Sequence, residues 1–245
     1  CGGYKLATGH GGYNPQARRI PTDRIKRFDL QTLTWDDDKY IQRRMKEARF
    51  GVSACMMKAA SSAHSDKAPE FGRLVTVGGM ALNLTGHRME PSNVVEMYSF
   101  DSNESVKMGS LRRGRYKPGV AYLPLAQQLI CIGGETLQHN GGREIEVYDF
   151  HANKWNRLKK KCVHDHVIKP LVWNDEMNYN ILYVAGRVCY NAKRLQLGEL
   201  ELIDMRMAEN WSIVADHELI SRLELKYTMS MDVFNDWTAR RTLLI

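Results

Sequence analysis

The residue types most able to do chemistry fall together in Cys162-Val163-His164-Asp165-His166, where a thiol and two imidazoles occupy alternate positions. On an extended strand that spacing projects all three from one face, an arrangement in which sulfur and nitrogen donors could share a metal ion. The run supplies no fourth ligand. His164 and His166 are therefore expected to be polar residues of a connecting loop, and neither a metal nor a cofactor is expected. A Cys/His pair could also act as nucleophile and base, but no Gly-x-Ser-x-Gly elbow accompanies it. The clusters Gly9-His10-Gly11-Gly12 and Gly133-Gly134 could suggest a phosphate loop. No Gly-Lys-Ser/Thr follows either of them, and no helical periodicity opens after them. No catalytic constellation assembles, so the chain is not expected to be an enzyme.

The elements that would position such residues give a stronger signal. Gln127 to Trp155 contains one complete unit. Leu129 to Ile132 is a short apolar run ending at Gly133-Gly134, where the absence of Cβ permits close backbone approach. A polar loop follows, then Ile145, Val147 and Phe150 around Tyr148-Asp149, and then Trp155, seven residues after Tyr148. The order recurs upstream as Leu74-Val75-Thr76-Val77-Gly78-Gly79 with Val94 to Asp101. It recurs downstream as Ile181 to Gly186 with Leu200 to Asp204 and Trp211. Near the start, Gly2-Gly3 (or Gly11-Gly12) precedes Ile25 to Leu30 and Trp35. The first positions of these pairs, Gly78, Gly133 and Ala185, are separated by 55 and 52 residues, and recurrence at a fixed period is the mark of a repeat.

A strand closed by Gly-Gly, a variable loop, a Tyr-Asp strand and a tryptophan, at roughly 50 residues, resembles the kelch repeat. The second unit departs at Ser105-Val106, where tryptophan is expected, and the fourth at Ala185-Gly186. The resemblance implies an all-β fold, a kelch-type β-propeller of four-stranded blades. It spans 1–245 in four recognisable blades, with approximate units 1–46 (partial), 47–111, 112–160, 161–220 and 221–245 (partial). Both terminal units are expected to be cut, making the chain a segment of a larger propeller; the alternative is that the first and last strands complete one blade between them.

Within this frame Arg49 to Cys55 and Gly119 to Leu123 read as innermost strands, as do Val163 to Trp173, with Pro170 inside it, and Leu223 to Phe234, the last followed by a hairpin turn at Asn235-Asp236. Asp36 to Lys46 reads as a connecting loop with a possible helical turn, and Met57 to Pro69 as a mobile hydrophilic hairpin. Trp35, Tyr98, Tyr148, Trp155 and Trp211 are expected to pack in the core.

Bulk properties set the outer limits. The 43% apolar content over 245 residues suffices for a core. Five cysteines without a Cys-x-x-Cys pair read as reduced thiols, with Cys131 packing as a small hydrophobe. No apolar run approaches the roughly 20 residues of a membrane span, and no signal peptide is visible. The formal charge of +7 favours an acidic partner. Two basic runs, Arg112 to Lys117 and Arg157 to Lys161, each follow a Tyr-Asp strand. Lacking interleaved exposed aromatics, they read as solvated rims rather than a nucleic-acid surface.

The resemblance implies partner binding by the residue after each Gly-Gly, here Tyr4, Met80, Glu135 and Arg187. It also implies a basic or polar set before each innermost strand, here Arg49, Arg115, Lys117, His164 and His166. Arg49, Arg115 and Lys117 are expected to form a cationic rim open to solvent. The function expected is a cytoplasmic protein–protein interaction module of substrate-adaptor (ubiquitin ligase) or scaffold type, binding a protein partner with an acidic segment within a larger complex. A structural subunit of a cytoskeletal or ribonucleoprotein assembly is one alternative, and a propeller enzyme or lectin acting on glycans is the other.

Overall fold

A computed structural model describes residues 2, 4–6, 19–35, 42–57, 72–83, 85–86, 88–123, 127–137, 141–159, 161–162, 168–174, 181–190, 194–197, 201–204, 211–213, 233–236 and 241–244. Side chains are described for those from 20 to 162 and for Pro170 and Val172. The fold is all-β, built from successive antiparallel sheets. Among the described residues the one helical element is a single 3-10 turn, Gly141–Arg143.

The first sheet joins β1 (Tyr4–Leu6), β2 (Arg19–Ile25) and β5 (Arg43–Arg49), with a separate hairpin of β3 (Phe28–Asp29) and β4 (Thr34–Trp35). The second contains β6 (Ser53–Met57), β7 (Arg73–Val77), β10 (Val95–Ser99) and β11 (Glu104–Lys107); a small hairpin, β8 (Met80–Leu82) with β9 (Met89–Pro91), leaves it after the glycine pair. The third is β12 (Gly119–Leu123), β13 (Gln128–Ile132), β14 (Ile145–Asp149) and β15 (Lys154–Arg157), in that spatial order. The fourth is β16 (Ile168–Asn174), β17 (Ile181–Tyr190), β19 (Glu201–Asp204) and β20 (Trp211–Ile213), with β18 (Arg194–Leu197) on the far end of β17. A last pair, β21 (Val233–Asp236) and β22 (Arg241–Leu244), stands as a two-stranded sheet. The leading strands β6, β12, β16 and β21 lie beside one another in sequence order.

Packing between sheets is apolar and dense. Met57, Val75, Val77 and Val95 from the second sheet meet Leu129, Cys131, Tyr148 and Trp155 from the third in one cluster. Burial pushes the Cys55 and Cys131 thiols up to about 12, so both are poor nucleophiles at neutral pH. Cys131 packs as a small hydrophobe, fully buried.

The repeated sequence features have specific mechanical roles. Tyr98 and Tyr148 are buried and each donates its hydroxyl to the side chain of the asparagine five residues on, Asn103 or Asn153. Those asparagines hold the turn in the left-handed region, φ 56° and 50°. Asp149 Oδ1 accepts from the amides of His151 and Ala152, and Asp29 does the same for Gln31 and Thr32, which nucleates the turn. These backbone donors hold both carboxyls below the ordinary aspartate range. Trp155 then folds back and its Nε1–H donates to Gly109 O at 2.9 Å. In the second sheet Ser105 replaces the tryptophan; its hydroxyl donates to Arg44 O of strand β5 at 2.8 Å, a shorter reach to a carbonyl of the preceding sheet.

Four expectations need correction. Residues 43–49 form strand β5, because Arg43, Met45 and Arg49 alternate buried with exposed Arg44, Lys46 and Ala48. Strand β17 does not stop at Ala185-Gly186: Gly78 and Gly133 end their strands at φ 64° and 63°, and a residue with Cβ at 185 keeps the backbone extended. Trp35 is 62% exposed and Phe28 38%. Tyr98 and Tyr148 are covered by pairing with Leu74 and Leu129, whereas β3 pairs only with β4 among the described residues. Asn235 and Asp236 belong to β21 rather than to its turn. The side chain of Trp211 and the hairpin at 58–69 lie outside what is described, while Met57 itself ends β6.

Trp155→Ala should destabilise by about 3–5 kcal/mol, whereas Trp35→Ala should stay within about 0.5 kcal/mol. Urea denaturation of the two variants checks this, and equal losses would remove Trp155 from its assigned role. Gly78→Ala should cost more than Gly86→Ala, although both have positive φ. A Cβ at 78 would lie 2.4 Å from Arg115 O, while at 86 it meets open space. The expected losses are about 2–4 and about 1 kcal/mol.

Candidate functional site

Arg49 and Arg115 occupy equivalent places, each four residues before the start of a leading strand, and each is 0% exposed. Arg49 Nη1 donates to Gly78 O at 2.6 Å and Val94 O at 2.8 Å, and Nη2 to Glu96 Oε1 at 3.0 Å. Arg115 Nη1 donates to Gly133 O at 2.7 Å, while Nε and Nη2 both reach Glu146 Oε1, at 3.0 and 2.8 Å. The second carboxylate oxygen of each glutamate accepts a backbone amide three residues before the arginine, from Lys46 and Arg112. The geometry ties the connecting segment, the glycine end of the second strand and the third strand of one sheet into a single clamp.

The solvent-open rim expected of Arg49, Arg115 and Lys117 is therefore overturned. Glu96 and Glu146 face inward, 1% exposed, and a buried carboxylate requires a cation within reach. Lys117 is half-buried at φ 50°, in the place held by Gly51 (φ 62°) in the preceding unit, with Nζ 5.1 Å from the Tyr116 ring centroid. Burial acts against the charged form of both arginines. At Arg49 it prevails over Glu96 and Glu47 and lowers the pKa; at Arg115 the opposing influence of Cys131, Glu146 and Glu144 prevails and raises it.

Of the residues after the glycine pairs, Met80 and Glu135 prove equivalent. Met80 forms an antiparallel bridge with Phe50, and Glu135 forms one with Tyr116, each partner following a clamp arginine directly. Glu135 is exposed and Met80 half-buried. Tyr4 lies in β1, paired with Pro21, and Arg187 lies in β17 between Ile168 and Leu197. His164 and His166 lie outside the described residues. Cys162 is buried in a core cluster with Ala121, Ile130 and Val172, and among the described residues no group of three His, Cys, Asp or Glu is placed to hold a metal.

The structure also joins the two basic runs that the sequence separates. Glu144, 3% exposed, sits next to the Arg115 clamp of the third sheet. Its Oε1 accepts from Arg157 Nη1 at 3.0 Å and lies 3.5 Å from Arg113 Nη1, and its Oε2 lies 3.4 Å from Arg115. The side chains of Arg113 and Arg157 remain 39% and 42% exposed. Arg112 and Arg143 are exposed beside them, with Arg143 Nε donating to Cys162 O at 2.7 Å. The sequence signal was there, two basic runs at corresponding places. What it lacked was Glu144, the carboxylate that gathers them.

Arg115→Ala should cost about 3–5 kcal/mol, because it leaves buried carboxylate charge without its main partner. Arg115→Met with Glu146→Leu should recover much of that loss. A denaturant double-mutant cycle measures the coupling, and additive losses would show that the pair does not act as a unit.

A scan against protein-family models finds no match to this chain, and a search of curated proteins finds none either. The functional reading therefore rests on the repeat geometry.

Proposed function

We propose that the chain is a kelch-type β-propeller segment whose role is to bind a partner protein, as a substrate adaptor or scaffold component of a larger cytoplasmic complex. The observation that carries this reading is the paired bridges Phe50–Met80 and Tyr116–Glu135. They hold the segment after each glycine pair against the segment after each clamp arginine, in the same way in two successive units. Loops fixed at equivalent points of a rigid repeat make a composite surface whose side chains can vary without disturbing the clamps beneath. Glu135 and Leu137 are exposed on this segment in the third unit, and Leu82 in the second, a mixture suited to contact with protein.

The test is binding to a partner purified in a stoichiometric complex. Leu82→Glu with Glu135→Arg should weaken that complex about tenfold or more at an unchanged melting temperature. Retention of full affinity by the folded variant would place the contact elsewhere and reject this surface.

A further inference from the structure

We propose that the arginines gathered at Glu144 form a binding site for an acidic peptide segment, taking its carboxylate or phosphoryl groups between Arg113 and Arg157. This deepens the reading of the chain as a protein-binding module and rests on it.

The argument begins with what the fold does not need. In the second sheet the positions of Arg113, Glu144 and Arg157 are taken by Glu47, Val94 and Lys107; the correspondence follows from Gly78 N donating to Val94 O as Gly133 N does to Glu144 O, and from Lys107 pairing with Glu96 as Arg157 does with Glu146. The clamp of Arg49 closes there on Glu96 and on the Val94 carbonyl, with no side chain equivalent to Arg113 or Glu144 taking part. The third sheet therefore carries two arginines beyond the requirements of its scaffold, gathered on a carboxylate that also pairs with Arg115.

Charge and geometry indicate what they are for. Arg113, Arg115 and Arg157 face two buried carboxylates, Glu144 and Glu146, which leaves a surplus positive charge before exposed Arg112 and Arg143 are added. Arg113 and Arg157 are both anchored to the same oxygen, Glu144 Oε1, so two guanidinium groups are held close together at the surface. Each keeps further N–H donors for a planar or tetrahedral anion, and their positions are fixed before the ligand arrives. A peptide is favoured over nucleic acid because the nearest exposed aromatic on this sheet, Phe150, follows β14 while Glu144 precedes it, at the opposite end of the strand.

The probes are two fluorescent decapeptides, one rich in glutamate and one carrying phosphoserines, and a single-stranded RNA of matched charge, titrated by polarisation. Both peptides should bind, and binding should weaken steeply as salt rises from about 0.05 to about 0.3 M. The stronger of the two identifies the anionic group. The decisive variant is Arg113→Gln with Glu144→Val and Arg157→Lys, which leaves net charge unchanged and brings the site closer to its counterpart in the second sheet. It should still fold cooperatively, since Arg115 keeps Glu146 and the Gly133 carbonyl, and lose peptide affinity about tenfold. Arg112→Gln, whose clamp contact is through its backbone amide, should lose about threefold. The site is overturned if the folded triple variant binds as the parent does, if neither peptide binds at low salt, or if the RNA binds more tightly than both peptides. Partner binding through Leu82 and Glu135 would survive any of these results.

Discussion

An alternation of buried arginine and glycine joins the first three sheets. Arg49 donates to the carbonyl of Gly78, and the α-carbon of Gly78 rests against the carbonyl of Arg115, which in turn donates to Gly133. Gly2 stands in the same relation to Arg49, with a built Cβ only 2.4 Å from its carbonyl. Each unit thus secures its own strands with an arginine and presses its glycine onto the arginine backbone of the next. A larger residue at the glycine would separate the sheets. A shorter one at the arginine would leave Glu96 or Glu146 charged and unpaired in the core.

The two clamps are unequal, and the difference explains how one fold tolerates sequence drift. Arg115 satisfies its Nε on Glu146, whereas Arg49 Nε is buried without a partner. An orphan donor of that kind costs about 1–3 kcal/mol. The second unit also has Ser105 where the third has Trp155, keeping one hydrogen bond to a backbone carbonyl and losing the large apolar contact. Its register is preserved because the backbone bridges and the glycine contacts are the same. Positions that repeat carry the scaffold; Arg113 and Arg157, which do not repeat, are free for recognition.

Much of the architecture was legible in the sequence because its signals are steric. Gly78-Gly79 and Gly133-Gly134 close their strands as read, and the order of tyrosine, aspartate and tryptophan in the third unit matches hydrogen bond, turn and packing one for one. Direction was harder to read than position. Arg49 and Arg115 were correctly placed before the leading strands, yet charge defaults to the exterior, so they were assigned outward. The corrective signal lay in Glu96 and Glu146, each two residues before a buried tyrosine. On a strand that spacing shares a face, so an acid beside an inward tyrosine is itself inward and demands a buried cation. Trp35 was misread for the opposite reason: its spacing matches Trp155, but spacing alone does not supply the covering strand.

The most direct test is hydrogen exchange at the arginine guanidinium groups by nitrogen-detected NMR. The account predicts that the Nε–H of Arg115, bonded to Glu146 and closed from water, exchanges orders of magnitude more slowly than that of exposed Arg112, and that Arg49 Nε–H is likewise protected although it has no partner. Exchange of Arg49 and Arg115 at the rate of a free surface arginine would contradict it.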